Sequence, residues 1–166
     1  KESRLQKIIK TLTRSTTSGV LVKGYDDVMI RFANCCSALP GEEIVGYITR
    51  GRGLTIHKHN CPQLLDTDPA RRIEVEWDRS FKGPRSAKIM VVCTDRPGML
   101  SSITRSIASS DVNISRAEIH STDVDRAVGT FDVAVSDLNQ LENLINSIKK
   151  VKGVISVERI LGAEET

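Results

Sequence analysis

Hydrophobic residues recur at every second position through the first half of the chain, which predicts β-strands. Residues 20–22 and 28–32 alternate in this way, and the Tyr-Asp-Asp sequence between them predicts a turn that joins them into a hairpin. Residues 44–49 and 54–57 alternate again on the two sides of an Arg-Gly-Arg-Gly sequence, which predicts a second hairpin. This half of the chain should therefore be rich in β-structure.

Helical spacing of apolar residues occurs first at the start of the chain, over residues 1–12. We interpret this stretch as the end of a helix from a longer protein, followed by a Ser/Thr-rich linker. After the second predicted hairpin, Pro62 is suited to the first turn of a short helix that runs to Leu65. Alternation over residues 73–77 predicts a last strand of the first domain.

The second half alternates between strand and helix patterns. Strand patterns cover residues 87–93, 113–121, 130–135 and 154–160. One helix is marked by Leu100, Ile103 and Ile107; the other begins at Asp137, which with Gln140 resembles a capping box. The element order is therefore βαββαβ, the ferredoxin-like arrangement.

The predicted fold class is α+β, with a small β-rich domain before the ferredoxin-like domain. We expect a helix remnant and linker at residues 1–18, the first domain at 19–78, a linker at 79–85 and the second domain at 86–162. Ile114 and Ile119 are an odd number of positions apart, so they face opposite sides of the strand unless a bulge intervenes. We therefore expect Ile114 to serve something other than the core of its own domain.

Composition excludes some classes of protein. With 39% hydrophobic residues the chain has enough apolar side chains for packed cores, and no run is long enough to span a bilayer. The net charge of +3 is too small for an extensive, sequence-independent grip on nucleic acid. Four cysteines without a secretory context favour a reducing cytoplasm, where clustered thiols bind metal or stay free.

Three of the four cysteines and two of the three histidines lie between Asn34 and Cys61. Cys35, Cys36, His57 and Cys61 have the thiolate and imidazole groups that zinc prefers. Both Cys35 and Cys36 reach one ion only if the backbone turns sharply between them. The alternatives are half-buried thiols that pack together without metal, or a Cys/His nucleophile, for which no orienting acid is evident.

Two further stretches carry binding chemistry. Arg50 and Arg52 in their glycine-rich turn, with Lys58 nearby, form a local basic site that is suited to phosphate groups of RNA. In the second domain, Asp95-Arg96-Pro97-Gly98-Met99-Leu100 joins a predicted strand to a predicted helix. Free amides at a helix start bind carboxylates, although such a sequence is also an ordinary connector.

The first domain carries a series of recognisable motifs. They are Gly19-Val20-Leu21-Val22-Lys23-Gly24, Ala33-Asn34-Cys35-Cys36, Pro40-Gly41, Gly46-Tyr47-Ile48-Thr49-Arg50-Gly51-Arg52-Gly53, and Ile56-His57 through Cys61-Pro62. Together with the second domain, they resemble the C-terminal region of long RelA/SpoT stringent-response enzymes. That region consists of a zinc-finger or ribosome-intersubunit domain followed by an ACT domain. One difference is Asn60, where the family often has Asp.

The resemblance implies a non-enzymatic regulatory fragment whose synthetase and hydrolase domains for guanosine tetra- and pentaphosphate lie upstream. It implies docking on ribosomal RNA and uncharged tRNA by the first domain. For the ACT domain it implies a homodimer with an amino acid between subunits. Asp95 would bond its amino group, the backbone from Gly98 to Leu100 would hold its carboxylate, and Asn113 and Ile114 would come from the partner.

Met99 and Ile114 would form an apolar pocket suited to valine or isoleucine, so the expected ligand is a branched-chain amino acid. The alternative is a structural docking and dimerisation module without a small-molecule ligand.

Overall fold

The computed structural model describes residues 12–14, 18–25, 28–122 and 124–162. The predicted helix at the start lies outside them except for Leu12, which begins a strand instead. The chain divides into two compact units. The first consists of Lys1–Gly83 with Gly162–Thr166, and the second of Pro84–Leu161.

The first unit is built on a six-stranded sheet. Its elements are β1 (Leu12–Arg14), β2 (Val20–Lys23), β3 (Ile30–Phe32), β4 (Ile44–Thr49), β5 (Gly53–Lys58), the short helix α1 (Pro62–Leu65), a 3₁₀ turn at Pro69–Arg71 and β6 (Arg72–Trp77). The strand order is β1-β2-β6-β4-β5-β3. All neighbouring strands are antiparallel except β3 and β5, which run parallel.

The β4–β5 hairpin is confirmed, but the predicted first hairpin is wrong. β2 pairs with β1 and β6, whereas β3 lies at the other edge of the sheet beside β5. The Ser/Thr-rich stretch after residue 11 is also not wholly a linker, because Leu12–Arg14 pairs with β2. Alternation predicts a strand but not its partner, and here partners distant in sequence bury the apolar faces.

The sheet of the first unit is strongly curled. Phe32 on β3 stacks on Trp77 on β6, with ring centroids 5.8 Å apart. Two strands separate β3 from β6 in the sheet, so a flat sheet would hold them roughly 14 Å apart. The curled face encloses a core of Val20, Val22, Leu54, Ile56 and Val75.

The second unit has the predicted βαββαβ order. Its elements are β7 (Arg85–Thr94), α2 (Met99–Ser109), β8 (Asn113–Ser121), β9 (Arg126–Val135), α3 (Leu138–Lys149) and β10 (Val154–Ile160). The antiparallel sheet has the order β10-β7-β9-β8. Buried residues alternate along β7 and β9, and the described helices bury Ile103, Ile107, Leu141, Leu144 and Ile148. The predicted α+β fold class is thus confirmed.

Two details differ from the expectation. Leu100 was predicted on the buried stripe of α2, but it is 42% exposed and Met99 is buried in its place. The register of β8 against β9 shifts between Ile114 and Arg116, so a bulge is present. Ile114 pairs with Val133 and Ile119 with Gly129, both buried positions, so the two isoleucines share the helix-covered face. The expectation that Ile114 serves something other than its own core is wrong on this point.

Candidate functional site

Cys35 and Cys36 lie in a tight turn directly after β3. The amide of Ser37 donates to the carbonyl of Ala33 at 3.0 Å, and Ser37 has a positive φ of 43°. This left-handed residue turns the backbone sharply. Both sulfurs therefore point toward one place, as a shared metal ion requires.

The other two ligand candidates follow the β4–β5 hairpin. His57 is the penultimate residue of β5, and Cys61 precedes helix α1, where its amide donates to the carbonyl of Lys58 at 3.0 Å. That turn reverses the chain so that Cys61 comes back beside His57. Pro62, which has no N–H to satisfy, begins the helix.

The four side chains converge. The Sγ atom of Cys35 lies 3.4 Å from Nδ1 of His57, 3.5 Å from Sγ of Cys61 and 3.9 Å from Sγ of Cys36. All four ligand atoms lie within 4.8 Å of one another. Zinc bonds of about 2.3 Å to sulfur and 2.0 Å to nitrogen at tetrahedral angles put ligand atoms roughly 3.5 to 3.8 Å apart. The donor set and its spacing therefore fit zinc.

Burial shapes the protonation of these four side chains. Burial, with the neighbouring sulfurs, raises the pKa of Cys35 to about 12, and burial also raises the pKa of Cys36. Burial lowers the pKa of His57, which favours the neutral imidazole that binds metal. Burial opposes ionisation of Cys61, but hydrogen bonds from Cys35 and from the amides of Leu64 and Gln63 hold its pKa below the usual value. Of the three thiols in the cluster, that of Cys61 therefore ionises most easily.

Cys36 and Cys61 are buried with Ala33 and Leu64 in a small apolar cluster, and Cys35 is packed against it. All four cysteines are free thiols, and Cys93 lies apart from this site, buried on β7. The amide of Lys58 donates to Sγ of Cys36 at 3.3 Å. Such N–H···S contacts stabilise thiolate ligands around a metal.

The basic turn lies at the opposite end of the hairpin from the cysteines. Arg50 and Arg52 are exposed between β4 and β5, and Gly51 and Gly53 adopt positive φ there. His57 lies four residues after Gly53 on β5, which is roughly 13 Å along the strand. The strand register therefore places Lys58, which was expected beside the two arginines, at the cysteine end of the hairpin.

Lys58 differs from the two arginines. Its ammonium forms an ion pair with Glu42 at 2.8 Å, and the two side chains are only 17% and 8% exposed. The exposed guanidinium groups are available to phosphates, whereas the Lys58 ammonium is already paired.

In the second unit, the turn after β7 has the geometry of an exposed helix start. Gly98 precedes α2 with a φ of 86°, a conformation that favours glycine, and Asp95 is exposed. Leu100 is exposed, but Met99 is 4% exposed and packs within its own domain. The turn thus presents backbone amides and a carboxylate, and it does not present the Met99 side chain.

Asn113 and Ile114 do not meet this turn within one chain. Asn113 pairs with Ala134 near the end of the sheet that holds Arg85, whereas the turn follows Thr94 at the other end. The length of β7 separates these ends by roughly 30 Å. One chain brings Asp95, Gly98 and Leu100 together but leaves Asn113 and Ile114 distant.

A four-stranded βαββαβ unit thus follows a small β-rich unit that carries Cys35, Cys36, His57 and Cys61, the metal-type cluster. Family models agree: residues 20–78 match the RelA/SpoT RIS domain and residues 82–159 match an ACT domain. The chain belongs to the RelA/SpoT family and corresponds to a C-terminal regulatory region of it.

Relatives support this assignment. The chain is 47% identical over 159 residues to a GTP pyrophosphokinase of Myxococcus xanthus, covering 95% of this chain and 21% of that protein. It is 35% identical over 153 residues to the bifunctional (p)ppGpp synthase/hydrolase RelA of Mycobacterium tuberculosis, covering 90% of this chain and 21% of that protein. The chain thus spans about a fifth of these relatives. A crystal structure of the ACT domain from a Chlorobium tepidum GTP pyrophosphokinase is 30% identical, with a TM-score of 0.42, covering 46% of this chain and 99% of that one.

Among the described residues, no helix is long and apolar enough to cross a membrane.

Proposed function

We propose that this chain is the non-catalytic regulatory region of a cytoplasmic (p)ppGpp synthetase/hydrolase. Its first unit docks on ribosomal RNA near uncharged tRNA, and its second unit binds a branched-chain amino acid between two copies. The observation that carries the proposal is the convergence of Cys35, Cys36, His57 and Cys61 inside a RIS-type domain. The signals pass to catalytic domains of the full-length parent protein.

RNA docking is assigned to Arg50 and Arg52. Both are exposed on a glycine-rich turn whose positive-φ residues let the backbone approach a phosphate closely. The double reversal Arg50→Glu with Arg52→Glu in the full-length parent should abolish co-sedimentation with ribosomes. A matched control reverses Arg105 and Lys149, which are exposed on the helices of the second unit. Equal binding by the two double variants would refute this assignment.

Zinc is proposed to hold the first unit together at the end opposite the basic turn. The described helices there are short, and the cluster joins the turn after β3 to the segment after β5. A bound zinc ion supplies a structural crosslink between these segments. Metal analysis of the purified protein should find close to one equivalent of zinc, and less than a tenth of an equivalent would contradict the proposal.

The amino acid is proposed to lie between two ACT domains. In the described sheet β8 is an edge strand, and it ends at the side of the sheet where the Asp95 turn lies. Antiparallel pairing of β8 with its copy would bring the partner's Asn113 toward that turn. Asp95 would then bind the amino group, and the backbone from Gly98 to Leu100 would bind the carboxylate.

The alternative is a docking and dimerisation module without a ligand. It is favoured by the burial of Met99, which is 4% exposed and therefore contributes little to a pocket between subunits. Thermal shifts separate the two, since a ligand that binds only the folded state raises its melting temperature. Saturable stabilisation by valine or isoleucine, with none by lysine, supports the sensor. Identical curves for all three amino acids support the docking module.

A further inference from the structure

The loop that carries Cys35 and Cys36 is anchored at its far end by Glu42. One carboxylate oxygen of Glu42 accepts a hydrogen bond from the amide of Leu39 at 2.8 Å. The other pairs with the ammonium of Lys58 at 2.8 Å. The two paired side chains are only 8% and 17% exposed, so solvent screens this pair far less than a surface pair.

Lys58 contacts the metal-type cluster through its backbone. It follows His57 directly, and its amide donates to Sγ of Cys36 at 3.3 Å. Successive side chains of a strand point to opposite faces, so Lys58 and His57 leave the strand in opposite directions. Lys58 therefore joins Cys36 on one side of the sheet end to Glu42 on the other.

Two further bonds fasten the same loop. The indole N–H of Trp77, the last residue of β6, donates to the carbonyl of Glu42 at 2.8 Å. The amide of His59 donates to the carbonyl of Glu43 at 2.9 Å. The loop is thus tied at residues 42–43 to the ends of two strands.

From this geometry we infer that Glu42 and Lys58 form a positioning pair that holds the Cys35–Cys36 turn over His57 and Cys61. The inference rests on the proposed zinc site, and it assigns the Lys58 side chain to the cluster instead of to RNA. Without the pair, the loop would be less well ordered before zinc binds, and the cost of ordering it would weaken the affinity.

The test measures zinc affinity of the chain by competition with a chelator. Glu42→Gln and Lys58→Met should each weaken binding by about 10- to 100-fold, the range typical for residues that orient metal ligands. Lys58→Arg keeps the charge and should stay within a few-fold of wild type. Loading with cobalt should give an altered thiolate-to-metal absorption band for the two charge-removing variants, which lost stability alone would not produce.

The matched control is Lys23→Met. Lys23 pairs with Glu74 at the same 2.8 Å distance in the same sheet, but both side chains are exposed, and two strands separate β2 from β5, which carries His57. This variant should bind zinc as wild type does. If Glu42→Gln and Lys58→Met match this control, the inference is wrong while the zinc site stands. If wild type itself binds no zinc, the metal proposal fails first.

A double variant and a ribosome-binding assay cover the cases of failed folding and of an RNA contact at Lys58. Should a single substitution prevent folding, the double variant Glu42→Leu with Lys58→Met removes both charges and avoids a lone buried ion. It should fold and still bind zinc at least tenfold more weakly. If Lys58→Met retains zinc affinity but the full-length parent with that change loses ribosome binding, Lys58 is an RNA contact and the inference is overturned.

Discussion

Zinc should stabilise the first unit selectively, and Cys61→Ser should remove that effect. Serine keeps the size of the side chain and is a preferred residue before a helix, so the start of α1 should be preserved. It replaces a sulfur ligand 3.5 Å from Sγ of Cys35 by a hydroxyl, which is a poor zinc ligand at neutral pH. The loss should therefore fall on metal binding.

The expected magnitude follows from linkage. Free zinc at about 1,000 times its dissociation constant stabilises the folded state by about 4 kcal/mol. In a unit of this size, each kcal/mol shifts the melting temperature by about 4 to 8 °C. Wild type should therefore melt about 15 to 30 °C higher in zinc than in chelator, and Cys61→Ser should show little difference.

The assay is tryptophan fluorescence, because the chain has one tryptophan and it lies in the first unit. Trp77 stacks on Phe32, so its emission reports the curled sheet and not the ACT domain. The matched control is Cys93→Ser, since Cys93 is a buried cysteine outside the cluster. A wild-type transition at the same temperature in zinc and in chelator would refute the reasoning.

Three other predictions concern different parts of the chain. Zinc affinity should weaken as the pH is lowered, by up to about tenfold per pH unit for each proton that zinc displaces. The raised pKa values of Cys35 and Cys36 mean that zinc displaces thiol protons at neutral pH. A zinc affinity that does not change with pH in chelator competition would contradict this. Gly46→Val should lower the free energy of unfolding, measured with urea, by about 1 to 3 kcal/mol, because a Cβ at this position lies 2.9 Å from Leu54 Cδ1 and 3.0 Å from Val75 Cγ1. An unchanged urea midpoint would argue against this overpacking. Asn113→Ala should abolish any valine-induced thermal shift without changing the melting temperature of the ligand-free protein, and a retained shift would exclude Asn113 from the site.

Local patterns predicted most of the strands and helices. The β4–β5 hairpin and the helix after Cys61 followed from a turn sequence and a proline, whose effects act within a few residues. The pairing of β3 with β5 could not be predicted in this way. It depends on which apolar faces meet when the sheet curls, and that is set by contacts such as Phe32 on Trp77.

The candidate sites divide similarly. The metal-type cluster was predicted as a set because its ligands are chemically distinctive and few. The pairing of Glu42 with Lys58 was missed, since a Glu-Glu sequence beside a turn looks like ordinary solvated charge, and only burial distinguishes it. A hint was present in the Lys that follows His57, but pairing across a loop leaves no spacing pattern.

The amino-acid sequence by itself determined most of the elements, the βαββαβ order, the family and the set of candidate metal ligands, because these depend on residue type and short-range spacing. The tertiary structure alone decided where they lie. It separated the arginine turn from the cysteines by the length of a strand, paired Lys58 with Glu42, and turned Ile114 to the core face through a bulge. Each of these depends on strand register and burial, which long-range packing fixes.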